Sequence, residues 1–93
     1  MIQDFYDRTT EAVFKGSCPK GFPPDLFKPT RRKLTTLHGA AKLSDLKDPA
    51  TNRLHALKDD RAGQHSIAVN DQFRICFVWT DAGPTRVEFT DYH

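Results

Sequence analysis

The chain holds only two cysteines in 93 residues, Cys18 and Cys76, which is too few for a disulfide framework. Cys18 sits in a turn-like Ser-Cys-Pro-Lys-Gly stretch and Cys76 inside an apolar strand pattern, so both are expected as reduced thiols. Five glycines and six prolines exclude collagen-like and low-complexity classes. The glycines stand apart from one another, which removes a glycine-rich phosphate loop. No apolar run approaches the roughly 18 residues of a membrane span, so no membrane partner is expected. Residues 1–20 carry Asp4, Asp7 and Glu11 and no apolar signal core, and the expected location is cytoplasmic. Four histidines, His38, His55, His65 and His93, show no metal-ligand spacing, and no carboxylate cluster suits magnesium. Neither metal nor cofactor is expected. Serine is rare (Ser17, Ser44, Ser66) and lacks a nucleophile-elbow context, which argues against acyl transfer.

Net charge is also small, +2 at pH 7, and names no partner by itself. Its distribution says more. Residues 15–58 hold ten Lys/Arg against three acids, a local +7, while the remainder carries −5. Such segregation can supply a positive face for a polyanion. Arg31, Arg32 and Lys33 fall near the start of a predicted helix, where they oppose the helix dipole.

The pattern predicts one domain over residues 1–93, α+β, in the order β-α-α-β-β-β-β. Met1–Phe5 reads as an opening strand. Thr9 or Thr10 could cap a short helix that carries Val13 and Phe14 and stops at Gly16. A second helix starts between Asp25 and Pro29, with Leu34, Leu37 and Ala41 as its apolar stripe. Residues 44–49 connect to a region of period two: strands at 53–58 and 65–69, then a longer one with Phe73, Ile75, Phe77 and Trp79 on one face. A last strand with Val87 and Phe89 runs to the terminus. The helices, preceding this antiparallel sheet, should cover one face and leave Arg74, Cys76 and Val78 on a wet one.

With metal, phosphate-loop and serine chemistry set aside, what remains is acid–base work by His, Asp and Tyr, supported by Lys and Arg. Metal-free RNA cleavage requires those groups: a base for the 2′-OH, a cation for the phosphorane, an acid for the departing oxygen. The terminal Asp91-Tyr92-His93 extends the alternation of Val87 and Phe89 and so reads as more than a frayed tail.

Arg53-Leu54-His55, Leu57-Lys58-x-Asp60-Arg61, Gln64-His65-Ser66-Ile67-x-Val69-Asn70, Phe73-Arg74-Ile75-x-Phe77 and Asp91-Tyr92-His93 together resemble the HigB-type toxins. These plasmid-maintenance killer proteins are a branch of the RelE superfamily. The resemblance spans nearly the whole chain and is most specific in the C-terminal forty residues. It implies a microbial RNase-like (RelE-like) fold and a ribosome-dependent endoribonuclease that cuts mRNA in the decoding site. It also implies silencing by a helix-turn-helix (HigA-like) antitoxin, the toxin itself being monomeric and a heterotetramer open to the pair. By the same resemblance His55, Asp91, Tyr92 and His93 match catalytic residues, and Lys58 and Arg74 match phosphate-contacting ones. Arg61 and Arg53, inside the quoted motifs, join them as RNA-binding candidates. Which of His55 and His93 is base and which acid stays open. Two departures stand out: the family usually has glycine where Asp59 stands and tryptophan where Phe73 stands. The rivals are a non-catalytic toxin of the same fold that binds DNA gyrase, and a plain RNA-binding module.

Overall fold

The computed structural model describes residues 1–91 and runs α1 (Arg8–Phe14), α2 (Phe27–Gly39), β1 (His55–Ala56), β2 (His65–Ala68), β3 (Phe73–Thr80) and β4 (Gly83–Asp91). The four strands form one antiparallel sheet in the order β1-β2-β3-β4. Both helices pack on one of its faces, as the α+β pattern predicts. Asp7, not Thr9 or Thr10, caps α1: its carboxylate accepts from the Thr10 N–H at 2.8 Å. Thr10 is buried instead, and its hydroxyl accepts from the Phe89 N–H at 3.0 Å, tying α1 to β4. Pro29 falls in the first turn of α2, where an imino nitrogen forfeits no helical bond. Thr30, Leu34 and Leu37 form the buried stripe; Ala41 lies beyond the helix end and is exposed.

Val13, Leu34, Leu37, Leu46, Ile67, Ile75, Phe77 and Val87 are fully buried between helices and sheet. Each such side chain contributes on the order of 1.5–3 kcal/mol. Leu46 reaches this core from a 3-10 turn at Leu43–Lys47, where the sequence suggested a plain connector. Phe89 stacks on Phe73 with centroids 4.8 Å apart, and Phe22 closes on Phe89 at the same distance. The aromatic residues near the N-terminus are thus mostly absorbed: Phe22 is buried and Phe5 and Phe27 pack on the core, while Tyr6 is 59% exposed.

Several sequence expectations are corrected. Met1–Phe5 is no strand; it lies along β4 with one parallel bridge, Phe5 to Val87, flanked by hydrogen bonds from Gln3 N–H to Pro84 O and Tyr6 N–H to Val87 O. The strand expected at 53–58 shrinks to His55–Ala56, because Arg53 takes a left-handed conformation (φ 46°) and a 3-10 turn begins at Asp59. Cys76 is fully buried although it faces away from the helices, so that face is not simply wet. Lys33 turns inward to Asn52 Oδ1, and burial, helped by Arg32, holds its ammonium pKa below the ordinary lysine value. It therefore adds little to the basic surface of α2. Among the described residues no helix is long and apolar enough to cross a membrane.

Gly83 shows how tightly the N-terminal segment is held. Its φ is +128°, and a Cβ there would sit 2.2 Å from the Met1 carbonyl oxygen. Gly83→Ala should cost about 2–3 kcal/mol and lower Tm by at least about 8 °C. Gly39→Ala, at the end of α2 with open space around it, should be neutral or stabilising by up to about 1 kcal/mol. Thermal melts of the two variants check this.

The same segment should be acid-labile. Asp4 accepts from the Thr85 hydroxyl and the Arg86 N–H, and these bonds hold its carboxyl pKa below the ordinary 3.8. A depressed folded pKa gives stability that is present above the unfolded value and lost as pH falls through the folded one. Melting between pH 6 and pH 2 should show Asp4→Asn less stable than wild type near neutrality, with the two curves converging in acid.

Candidate active site

Register places the candidate residues. His55 lies opposite Ser66, Ser66 opposite Cys76, and Cys76 opposite Glu88. Cross-strand partners share a face, so these four form a row on the outer surface of the sheet, away from the helices. Ser66 and Cys76 are nonetheless fully buried. Charged side chains roof them. Arg74 donates from Nε to Ser66 Oγ at 2.7 Å and from Nη2 to the Arg53 carbonyl at 2.7 Å. Arg61 pairs with Glu88 at 3.0 Å and also donates to Gln64 Oε1 at 3.2 Å. Burial beneath this roof pushes the Cys76 thiol pKa up; Arg61 pulls it the other way.

Beside Arg74 opens a groove of about 370 Å³ lined by His55, Leu57, Lys58, Asp59, Ser66 and Arg74. Its chemistry is legible from its parts. Arg74 is fixed by two directed hydrogen bonds, which pre-organises its guanidinium for an anion. Lys58 and His55 are exposed at the rim, the first a cation and the second an imidazole able to give or take a proton. A phosphodiester laid in the groove would meet two cations, one imidazole and the Asp59 carboxylate.

The sequence-predicted residues distribute as follows. His55, Lys58 and Arg74 come together in the groove. Arg53 sits behind it: its carbonyl anchors Arg74, and its guanidinium binds the β2–β3 turn through Asn70 O (3.1 Å) and Asp71 (3.3 Å). Arg61 lines a neighbouring groove. Asp91 pairs with Phe73 in the ladder, which puts it on the helix-side face, and its carboxylate accepts from Gln72 Nε2 at 2.9 Å. Tyr92 and His93 lie outside the described residues.

Sequence reasoning singled out no role for Ser66, whose hydroxyl aims Arg74. It also left the glycine preference at position 59 unexplained. Asp59 adopts φ 56°, a left-handed conformation that glycine takes without strain. The family's glycine is the signal for that backbone, and Asp59 fills it with a carboxylate on the groove wall.

Two helices on one face of a four-stranded antiparallel sheet are consistent with the class of RelE-like toxins. The HigB-like toxin family, described as the RelE-like toxin of the type II toxin-antitoxin system HigB, matches residues 3–93, and the chain belongs to it. A toxin of such a system has a cognate antitoxin. Among known proteins the chain is similar to Toxin HigB-1 of Vibrio cholerae, 44% identical over 86 residues that cover 87% of this chain and 86% of the relative. It is also similar to Endoribonuclease HigB of Proteus vulgaris, 27% identical over 93 residues and the full length of both.

Asp59 supplies a direct check on the groove's electrostatics. Asp59→Asn and Asp59→Gly should both strengthen binding to a polyanion a few-fold at low salt. The gain should shrink as salt rises, since the charge is exposed. Stability should change by no more than about 1 kcal/mol, relief of the left-handed strain being offset by glycine's chain entropy. Elution from heparin and thermal melts read the two effects separately.

Proposed function

We propose that the chain is a ribosome-dependent endoribonuclease that cuts mRNA in the decoding site. We further propose that the reaction is metal-free acid–base chemistry and that a helix-turn-helix antitoxin silences it. The single observation that carries the reading is the anchored guanidinium of Arg74 facing the same groove as His55 and Lys58. The name of the Proteus vulgaris relative supports it.

In this mechanism a base removes the 2′-OH proton, O2′ attacks phosphorus, and the P–O5′ bond breaks as an acid protonates O5′. The products are a 2′,3′-cyclic phosphate and a 5′-hydroxyl. Lys58 and Arg74 stabilise the phosphorane, whose charge exceeds that of the ground state; that difference is what accelerates the step. His55 is one proton-transfer group and His93 the other, with Tyr92 stacking on or orienting a base. Asp91 acts as a positioning residue, holding the end of β4 through Gln72. In this reading the ribosome holds the strand in line for attack. Action on ribosomes places the protein in the cytoplasm, as a monomer when free of antitoxin and within a heterotetramer when bound.

On mRNA-programmed ribosomes, loss of one proton-transfer group should slow cutting by ~10²–10⁴-fold. His55→Ala and His93→Ala should each show it, and truncation after Thr90 should abolish growth inhibition. Ser66→Ala should impair cutting less than Arg74→Ala, because it removes one of the bonds that hold the guanidinium rather than the guanidinium itself. A 2′-deoxynucleotide at the cut position should block the reaction. Products with a 3′-hydroxyl and 5′-phosphate, or full activity without residues 91–93, would overturn the mechanism.

A further inference from the structure

Beyond the turn Asp59–Arg61, the outer face opens into a second groove of about 300 Å³, lined by Tyr6, Asp60, Arg61, Gln64, Arg86 and Glu88. The two grooves share that turn as a wall, with Lys58 and Asp59 on one side and Asp60 and Arg61 on the other. Two features of the second groove stand out. Tyr6 is 59% exposed, whereas Phe22 and Phe77 lie in the core, Phe5, Phe14, Phe27 and Phe89 pack on it, and Phe73 stacks on Phe89. It is not on a loose end. Its N–H donates to Val87 O at 2.9 Å, and the Phe5–Val87 bridge turns Phe5 inward and Tyr6 outward.

The second feature is Arg86, exposed at φ 54°. Glycine or asparagine would take that backbone more readily. Asp4 sustains it, accepting the Arg86 N–H at 2.6 Å and the Thr85 hydroxyl from the same oxygen. The Arg86 charge acts on the Asp4 carboxylate and helps hold its pKa down, while the guanidinium itself stays exposed beside the groove. This backbone belongs to the β-bulge where β3 and β4 shift register between Cys76 and Val78, a device that re-aims a side chain, and here it leaves the Arg86 side chain lining the groove. Between Tyr6 and Arg86 the floor carries the Arg61–Glu88 pair and the Gln64 amide, polar edges suited to a heterocycle. With two arginines balanced by Asp60 and Glu88, the groove is no general trap for polyanions.

We propose that this groove is a nucleotide subsite for the RNA strand beside the cut, with Tyr6 stacking on a base and Arg86 holding the adjoining phosphate. The assignment rests on the cleavage reading above and adds to it where a flanking nucleotide is held. An aromatic platform accepts any base, so the subsite contributes affinity, while the Gln64 and Glu88 edges bias which base sits there.

The test uses the full-length protein on mRNA-programmed ribosomes at several substrate concentrations, with circular dichroism and melting to confirm the fold. Tyr6→Ala and Arg86→Gly should each raise KM roughly ten-fold and leave kcat unchanged. Tyr6→Phe should behave as wild type. 4-Thiouridine next to the cut site should crosslink to the peptide containing Tyr6. Wild-type KM in both variants, together with impaired cutting by Lys58→Ala, would overturn the subsite and leave the cleavage reading standing. Unchanged KM with weakened antitoxin binding would assign the groove to the partner protein and overturn the subsite too. A folded wild-type protein that cuts no mRNA on ribosomes would overturn the cleavage reading itself, and the subsite with it.

Discussion

Arg74 donates to Ser66 on β2 and to the carbonyl of Arg53 ahead of β1, and through these bonds three segments of the sheet share one anchor. The Arg53 carbonyl is available because that residue is left-handed, and its own side chain reaches the β2–β3 turn. The two arginines therefore brace each other: one backbone carbonyl holds the second guanidinium, and the first guanidinium ties down the turn that leads to it. This bracing adds to what holds β1, only two residues long, at the sheet edge: the packed side chains of Leu54 and Leu57 and the Leu57 N–H bond to Gln64 O. His55 sits on that strand, so the geometry of the groove depends on the anchor.

The two faces of the sheet solve different problems. On the helix side, apolar packing is enough. On the outer side, Ser66 and Cys76 are removed from water by charged groups rather than by a layer of helix. A guanidinium with satisfied donors over a dry floor interacts more strongly with a passing phosphate than the same group in bulk water. The device that closes the fold on this side thus also sets the electrostatics of the groove.

Much of this was legible in the sequence. Alternation of Phe73, Ile75 and Phe77 fixed β3, and the short turns fixed an antiparallel order. The motifs around His55, Lys58 and Arg74 brought three groove residues to notice before their proximity was visible. What escaped were features decided by tertiary bonds. Asp7 outcompeted Thr10 as the cap because Thr10 was needed against β4. The opening segment carries strand-like residues but forms only one bridge, since its partner lies some eighty positions away. Cys76 was expected on a wet face because alternation says which side a residue takes, not what covers it. Lys33 looked like surface charge because nothing local announces Asn52 as its acceptor.

The lengthwise closure of the chain has a consequence for the protein's own synthesis. Residues 3–6 are made some eighty positions before their hydrogen-bond partners Pro84 and Val87. Glu88, which roofs the outer face with Arg61, also comes late. A growing chain can form the helices early, but it cannot complete the edge of the sheet or the outer surface until β4 has emerged. The outer face is therefore among the last parts of the fold to close.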